Sequence, residues 1–228
     1  MNEKAANKMR ELLSYVIPRN IQQTIEAPQS KESTERTVFN MEEKAQLKTF
    51  LEHVFSHPFE NLVDRYKALS LSTSKGQKLV GEIEKKGLVK RVSVKTRKGR
   101  GNNYSLFLEL TAEGRDYLGK EKQPAKEGKA GLKHCYYVKR IAEFYTAKGY
   151  EIKKEYKNCD LAINLPEGPI AIEVSIHTTN LQENIQRNQK NGLKTVLIFE
   201  SKEALEKARN NVSLLFQSCE LKIIDEFL

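Results

Sequence analysis

In the middle third of the chain, the spacing of apolar residues changes from helical to strand-like. Met41–Phe55 carries apolar residues three and four positions apart, and Asn61–Leu69 repeats this spacing after a proline, so each segment predicts an α-helix. A third helix is predicted with Thr73 or Ser74 as its N-cap and Gly87 as its C-terminal stop. Three consecutive short helices are therefore expected.

A two-stranded hairpin is predicted directly after these helices. Leu88–Val94 alternates between apolar and polar residues, 97–103 is rich in glycine and asparagine, and Tyr104–Leu110 forms the returning strand. Thr111–Leu118 then begins a closing helix with a threonine cap. The order helix, helix, helix, strand, turn-rich tip, strand predicts a winged helix-turn-helix over residues 42–119.

The last part of the chain, residues 131–228, alternates between helical and strand-like segments and predicts a mixed α/β sandwich. A turn at Pro166–Pro169 joins the second and third strands as a hairpin. The elements in chain order are the helix Tyr136–Lys148 ended by Gly149, the strands Tyr150–Tyr156, Cys159–Asn164 and Ile170–Ile176, the helix Gln182–Asn191, the strand Thr195–Phe199, the helix Lys202–Asn210 and the strand Leu221–Ile224.

Polar segments separate these predicted domains. Residues 1–41 begin with a short helical pattern and continue as a polar arm, and residues 120–130 contain nothing apolar larger than alanine. The predicted organisation is an arm, a winged helix at 42–119, a linker at 120–130 and an α/β domain at 131–228. The expected fold class is α+β with a mixed sheet in the C-terminal domain.

Basic charge is concentrated in the predicted winged helix. The formal net charge of the chain is +9, and residues 42–119 hold fifteen Lys and Arg against ten Asp and Glu. Lys90–Arg100 contains six basic residues and no acidic one. Surfaces without a polyanionic partner usually mix both signs, whereas Lys and Arg beside phosphates release counterions. Double-stranded DNA is therefore the expected partner, and a solubilising basic loop is the alternative.

Two groups of residues would contact DNA in this arrangement. The third helix would lie in the major groove, and its first turns would point serine and lysine side chains at phosphates. Gln77 is the candidate for hydrogen bonding to a base edge. A winged helix that binds a protein partner is the alternative interpretation. The full set of predicted DNA contacts is Ser74, Lys75, Gln77, Lys78, Arg91, Lys95, Arg97, Lys98 and Arg100.

Two carboxylates fall at informative positions in the C-terminal domain. Asp160 opens the second predicted strand, and Glu173 lies inside the otherwise apolar third strand. An ionised side chain in such a strand is costly to bury unless it is paired or bound to metal. Adjacent antiparallel strands can bring both carboxylates together, and their oxygens would suit Mg²⁺ or Mn²⁺.

The Asp160 and Glu173-Val174-Ser175 pattern resembles the PD-(D/E)XK, or restriction-endonuclease-like, family. That family has a helix–three strands–helix–strand core, with an Asp at the second strand and an acidic-x-Lys triplet in the third. The resemblance implies metal-dependent DNA cleavage, with a metal-activated water attacking the phosphate. Ser175 stands where the family has Lys, which puts turnover in doubt. The residues implied in catalysis are Asp160, Glu173, Ser175, Glu143 and Gln189, with Asp160 and Glu173 as metal ligands and Gln186, Lys190, His134 and His177 as further candidates.

A wider resemblance covers roughly residues 42–200 and concerns a group of archaeal-type proteins that join a winged helix to a restriction-endonuclease-like domain. It implies DNA processing by a mobile element and a DNA-translocating ATPase as partner. No Walker A pattern is present, so such an ATPase would be a separate protein. The resemblance rests on the sequence segments Arg65–Ser72, Lys75-Gly76, Glu84–Leu88 and Leu108–Gly114.

Other features of the sequence narrow the class of protein. No apolar run approaches the length of a membrane span, the N-terminus lacks the apolar core of a secretory signal, and the three cysteines show no CxxC spacing. We therefore expect a cytoplasmic, reduced protein without a membrane partner. A DNA-cutting enzyme, a non-catalytic DNA-binding protein and a transcriptional regulator that binds DNA as a homodimer remain as alternatives.

Overall fold

The computed structural model describes residues 41–98, 103–120, 131–176, 180–212 and 218–228. The predicted arm, the core of the predicted linker, Arg100 and His177 lie outside the described residues. The elements below are numbered in chain order within the described part.

The first half contains the element order predicted for a winged helix. These elements begin and end within a residue or two of their predicted bounds because local spacing and glycine stops define them. The N-cap of the third helix is Ser72 rather than Thr73 or Ser74: its backbone is extended, and its side chain accepts a hydrogen bond from the Lys75 amide. The elements are α1 (Met41–Ser56), α2 (Leu62–Ala68), α3 (Thr73–Lys85), β1 (Val89–Lys95), β2 (Tyr104–Leu110) and α4 (Ala112–Tyr117).

Strands β1 and β2 form an antiparallel hairpin, called the wing below. Val89 lies opposite Leu110 and Lys95 lies opposite Tyr104, so all seven residues of each strand are paired. One further bond, from the Thr96 amide to the Asn103 carbonyl at 2.8 Å, extends the pairing toward the tip. Arg97 and Lys98, which follow β1 at the tip of the wing, are exposed.

Helices α2 and α3 approach each other closely at Gly76. A Cβ atom built on Gly76 would lie 2.5 Å from a ring carbon of Tyr66, and Tyr66 is itself buried. Real Cβ atoms do not come so near a ring, so glycine is required for this contact. The angle at which α3 leaves α2, and hence the direction of its exposed face, depends on that close approach.

We predict that Gly76→Ala destabilises the protein by about 1–3 kcal/mol, because the added methyl group forces the Tyr66 ring out of its place. Gly81→Ala is the matched control, since no atom lies within 4 Å of a Cβ built at this position of the same helix. That control should stabilise the protein by about 0.5–1 kcal/mol through helix propensity. Urea unfolding measures both; equal effects of the two variants would contradict the close-packing explanation.

The second half is built on a five-stranded mixed sheet, as predicted, with the strand order β3-β4-β5-β6-β7. The pairs β3–β4 and β4–β5 are antiparallel, and the pairs β5–β6 and β6–β7 are parallel. The elements are α5 (Leu132–Ala147), β3 (Ile152–Lys154), β4 (Leu161–Leu165), β5 (Gly168–Ser175), α6 (Leu181–Lys190), β6 (Lys194–Phe199), α7 (Lys202–Val212) and β7 (Cys219–Ile223), with 3₁₀ turns at Tyr156–Asn158 and Ile224–Phe227.

The predicted bounds in this half differ from the structure by up to four residues, and two of the differences have a clear physical cause. Helix α5 begins four residues before the predicted Tyr136, because Leu132 is buried against the core and adds the first turn. The first strand ends at Lys154 rather than Tyr156, because Glu155 has a positive φ of 51° that extended backbone does not permit. The hairpin turn between β4 and β5 is present as predicted.

The alternation of side chains along the strands divides the core between the two faces of the sheet. On one face, Ile172 and Val174 of β5 pack with Tyr137 and Ile141 of α5. On the other face, residues of β6 pack with the two later helices: Leu197, Phe199, Leu181, Ile185, Leu205 and Ala208. Because Glu173 and Ser175 alternate with Ile172 and Val174, they lie on the face covered by α6.

The wing is part of the same packed core as the sheet. Val94 and Phe107 belong to the buried cluster around α5, and the Phe107 ring lies 5.3 Å from that of Tyr136. Residues 40–228 form one compact unit. The boundaries of the domains at 42–119, 120–130 and 131–228 stay a prediction. Across the described ranges, none of the helices is both long enough and apolar enough to span a membrane.

Candidate nucleic-acid interface and polar cluster

The outward face of α3 carries every residue that the sequence predicts to contact DNA from this helix. Ser74, Lys75, Gln77 and Lys78 are all exposed. The inward face consists of Gly76, Leu79, Val80 and Ile83, which are buried. Because the polar residues sit in the first two turns, they surround the positive end of the helix dipole.

Two pairs of basic residues, one on α3 and one just beyond β1, keep their charge available. Lys75 and Lys78 on α3, and Arg97 and Lys98 after the end of β1, form no ion pair with any other described residue. All four are exposed. Phosphate groups of a polyanion could therefore approach them without displacing an acidic side chain.

The remaining described basic residues of the wing have acidic partners. Arg91 Nε lies 3.1 Å from Glu84 of α3, and Lys90 Nζ lies 3.0 Å from Glu109 of the opposite strand. Lys95 Nζ lies 2.5 Å from Asp225, and its side chain is only 12% exposed. The available charge of the wing is thus carried by its tip rather than by its strands.

Asp160 is held between α5 and β5. Its Oδ2 atom accepts hydrogen bonds from the Val174 amide at 2.8 Å and from His134 Nε2 at 3.0 Å. Burial by itself lowers the pKa of His134, but interactions with Asp160 and the neighbouring Cys135 outweigh burial and raise that pKa to about 9. His134 is therefore the charged partner of Asp160 at neutral pH, forming an ion pair at the start of α5.

Glu173 is buried and receives hydrogen bonds from three residues of α6. Arg187 Nη2 donates at 2.7 Å and Asn188 Nδ2 at 2.9 Å to its Oε1 atom, and Asn184 Nδ2 donates at 3.3 Å to its Oε2 atom. Burial raises the pKa of Glu173 to about 7, against the lowering effects of Asn188 and Arg187. Both carboxylate oxygens are thus occupied by donors of the protein itself.

The strand register places Asp160 beside Glu173, as expected for adjacent antiparallel strands. Leu161 pairs with Ile172, so the next position along brings Asp160 level with Glu173. Their carboxylates nevertheless have partners on different helices, His134 of α5 for Asp160 and Arg187 of α6 for Glu173. The two side chains are neighbours along the sheet without sharing a common set of partners.

The other candidates for a nuclease site are dispersed. Ser175 is buried on the same face of β5 as Glu173. Glu143 follows His134 by nine residues on α5, about 13 Å along the helix axis, and is bound to Lys139 and Arg140. Gln189 points elsewhere on α6 and donates to Ser218 Oγ at 2.7 Å. Neither residue joins Asp160 and Glu173.

The sequence did not predict which residues surround Glu173. The sequence suggests Gln186, Gln189 and Lys190 as the site residues of α6, but all three are exposed. The signal for Asn188 lies in the helical period: Leu181, Ile185 and Asn188 share one stripe, and all three are buried. A polar residue in the buried stripe of a helix requires a buried polar partner.

The surroundings of Glu173 do not suit a divalent metal ion. Three hydrogen bonds, two to Oε1 and one to Oε2, already take three of the four lone pairs of its carboxylate. Ser175 supplies no positive charge where the resembling family has Lys. The positive charge of Arg187, 2.7 Å from the Glu173 carboxylate, takes the place that a cation would occupy.

Comparison with known proteins gives little further information. No protein-family model matches the chain, and no curated protein matches it. The comparisons assign it to no family. Among solved structures, the chain is similar to a cysteine-to-serine mutant of Lactococcus lactis ZitR, with 13% identity and a TM-score of 0.25, over 65% of this chain and 84% of that chain. A likeness at this level carries no argument about fold or function.

We predict that Glu173 makes the protein less stable as the pH rises from about 4.5 to about 7. Its pKa is raised in the folded state, so the folded protein holds a proton in this interval that the unfolded chain releases. The stabilisation is complete below the ordinary value of 4.5 and is lost as the pH passes about 7. Urea unfolding measured across this interval should show a fall of up to about 3 kcal/mol from this group.

The variant that tests this is Glu173→Gln, which keeps the shape of the side chain and removes its titration. It should remove the fall in stability between pH 4.5 and 7. Glu183→Gln, at an exposed position of the same helix region, should leave the fall unchanged. An identical pH profile for the wild type and Glu173→Gln would mean that Glu173 titrates normally.

Proposed function

We propose that this protein binds double-stranded DNA through the first turns of α3 and the tip of the wing. The main support for this proposal is the pattern of ion pairs across the basic region. Lys75, Lys78, Arg97 and Lys98 are exposed without an acidic partner among the described residues, whereas Lys90, Arg91 and Lys95 have one. A cationic surface left uncompensated on two neighbouring elements suits a polyanion.

The shape of the surface supports duplex DNA over a compact anion. A major groove admits one α-helix, and the exposed face of α3 offers lysines for phosphates and Gln77 for an adenine edge. Ser74 and Lys75 lie at the helix N-terminus, where backbone amides and the helix dipole also favour phosphate. Arg97 and Lys98 would contact the flanking backbone or the minor groove.

The packing of the wing on α5 supports a fixed geometry for these contacts. The Lys95 amide donates to Tyr137 Oη at 3.1 Å, and the Lys95 ammonium is bound to Asp225. The tip end of strand β1 is therefore anchored to the sheet domain just before the exposed Arg97 and Lys98. Pre-ordered contacts reduce the entropy that binding would otherwise lose.

We predict that replacing Lys75, Lys78, Arg97 and Lys98 with alanine weakens DNA binding and reduces its dependence on salt. Each lost phosphate contact lowers the slope of log K against log salt by about 0.9, so the fourfold variant should lose about 3 to 4 from this slope. Fluorescence anisotropy with a labelled duplex, measured over a series of salt concentrations, gives both quantities.

The matched control replaces Lys202 and Lys207, which are exposed on α7 of the sheet domain. This variant changes the net charge without touching the proposed surface, so its salt slope should stay close to that of the wild type. A fourfold variant with an unchanged slope would rule out α3 and the wing tip as the phosphate-binding surface and would favour a protein partner for them.

The sheet domain has the helix–three strands–helix–strand order of the restriction-endonuclease-like family that the sequence resembles. We infer that its role here is non-catalytic, as a platform for the wing. The reasons are chemical: Glu173 is bound to Arg187 and Asn188, Asp160 is bound to His134, and Ser175 replaces the family's Lys. Partnership with a DNA-translocating ATPase, homodimerisation and a role in a mobile element stay predictions from the resemblance.

We predict that the protein with Mn²⁺ or Mg²⁺ leaves supercoiled, linear and branched DNA uncut, because its two carboxylates are already compensated by protein cations. Agarose gel electrophoresis over an extended incubation measures this, with a restriction enzyme as the positive control in the same buffer. Cutting by the wild type that disappears in Asp160→Ala combined with Glu173→Ala would overturn the non-catalytic assignment. Cutting that persists in that variant would come from a contaminant.

A further inference from the structure

Three metal-binding side chains converge at the turn between α1 and α2. His53 lies in the last turn of α1, His57 follows one helical turn later, and Glu60 directly precedes the N-cap of α2. One ligand atom from each of the three lies within 4.8 Å of the other two. In the described part of the chain, no other group of three His, Cys, Asp or Glu residues meets this condition.

The backbone explains why the three side chains meet. The His57 amide donates to the His53 carbonyl at 3.0 Å, which continues the helical bonding by one residue beyond α1. The two imidazole rings consequently stack, with centroids 4.4 Å apart and an interplanar angle of 23°. The chain then turns back, and Glu60 Oε2 comes within 3.7 Å of His53 Nε2.

We propose that His53, His57 and Glu60 form a binding site for a divalent transition-metal ion of the zinc class. Two imidazoles and one carboxylate are a donor set that Zn²⁺ accepts, and the hard ions Mg²⁺ and Ca²⁺ prefer oxygen donors. Three protein ligands leave one position of a tetrahedral ion for water. This site is independent of the proposed DNA surface and of the Asp160–Glu173 cluster.

The hydrogen bonds of His57 prepare it for coordination. Ser56 Oγ donates its proton to the Glu52 carbonyl at 2.8 Å, so toward His57 Nδ1, 3.0 Å away, the same oxygen acts as an acceptor. His57 Nδ1 therefore carries the ring proton, and its Nε2 atom keeps a free lone pair. A ligating histidine usually has its second nitrogen fixed in this way.

Arg65 fixes the backbone on which the site is built. It is fully buried, and its Nη2 atom donates to the carbonyls of His57 at 2.7 Å and of Glu60 at 3.0 Å. The turn that carries two of the three ligands is thereby held in one conformation. A preformed site loses less entropy when it binds an ion than a flexible turn would.

One contact of Arg65 must change when an ion binds. Its Nη1 atom donates to His53 Nδ1 at 2.9 Å, which leaves the proton of a neutral His53 on Nε2, facing Glu60. Coordination through Nε2 moves that proton to Nδ1 and opens this single bond. The two carbonyl bonds of Arg65 stay in place, so the turn keeps its shape while His53 rotates to the ion.

The experiment uses the full chain without a polyhistidine tag, stripped with a chelator and titrated with Co²⁺ as a spectroscopic stand-in for Zn²⁺. We expect visible d–d absorption that reaches a plateau and that Zn²⁺ abolishes by displacement. We also expect Zn²⁺ to raise the Tm, because an ion that binds only the folded state stabilises it. Mg²⁺ at the same concentration should produce no shift.

Two variants remove ligands with little risk to folding. The His57 side chain is exposed, so His57→Ala serves as the principal variant, and Glu60→Gln keeps the size of the third ligand. Each should weaken Co²⁺ binding by roughly tenfold or more and lose the Zn²⁺-dependent rise in Tm. His134→Ala is the matched control, since it removes a histidine of the sheet domain and should bind Co²⁺ like the wild type.

Each outcome of this experiment either supports or overturns the proposed metal site. Loss of binding in His57→Ala and Glu60→Gln with retention in His134→Ala supports the proposed site. Equal binding in the wild type and His57→Ala would overturn it, as would a wild-type spectrum that shows only hydrated Co²⁺. None of these outcomes depends on DNA binding, so the proposed function is tested separately.

Discussion

The attachment of the wing to α5 is the contact on which the arrangement of the molecule depends. Tyr137 lies at its centre: it accepts a hydrogen bond from the Lys95 amide and donates one to Glu200 at 2.9 Å. Around it, Val94 and Phe107 of the wing share one buried cluster with the sheet. Because apolar burial surrounds this polar contact, the wing is held by the core of the sheet domain rather than by its own two strands alone. A two-stranded hairpin is only marginally stable by itself, so this support is what gives the wing a defined direction.

The same sheet that supports the wing also determines what Glu173 can do. Period-2 alternation turns Ile172 and Val174 toward α5 and leaves Glu173 on the opposite face, beneath α6. A buried carboxylate there must be compensated, and α6 supplies Arg187 and two asparagines. The compensation comes entirely from within the chain. These hydrogen bonds join Glu173 of β5 to helix α6, which supports the non-catalytic role proposed for the sheet domain.

The sequence predicted the features that local spacing controls. The helix–helix–helix–strand–strand order, the hairpin turn at Pro166–Pro169 and the neighbouring positions of Asp160 and Glu173 all follow from periods of 3.6 and 2 and from turn residues. The sequence did not predict which charges cancel. Lys95 is indistinguishable from Arg97 in the basic run, because its partner Asp225 is far away in the chain and meets it only after folding. The partners of Glu173 depend likewise on the rotation of α6 about its axis.

A single electrostatic rule then connects both halves of the molecule. A charge that is paired inside the protein already has its partner, and only a charge without such a partner is free to attract a ligand. Lys95 and Glu173 belong to the first class, since each has an opposite charge within 2.7 Å. The exposed Lys75, Lys78, Arg97 and Lys98 belong to the second. Counting charged residues in the sequence gives them all equal weight, whereas the fold divides them into structural pairs and a cationic surface. That division, rather than the total charge, is what favours DNA binding at α3 and the wing tip over catalysis at the sheet.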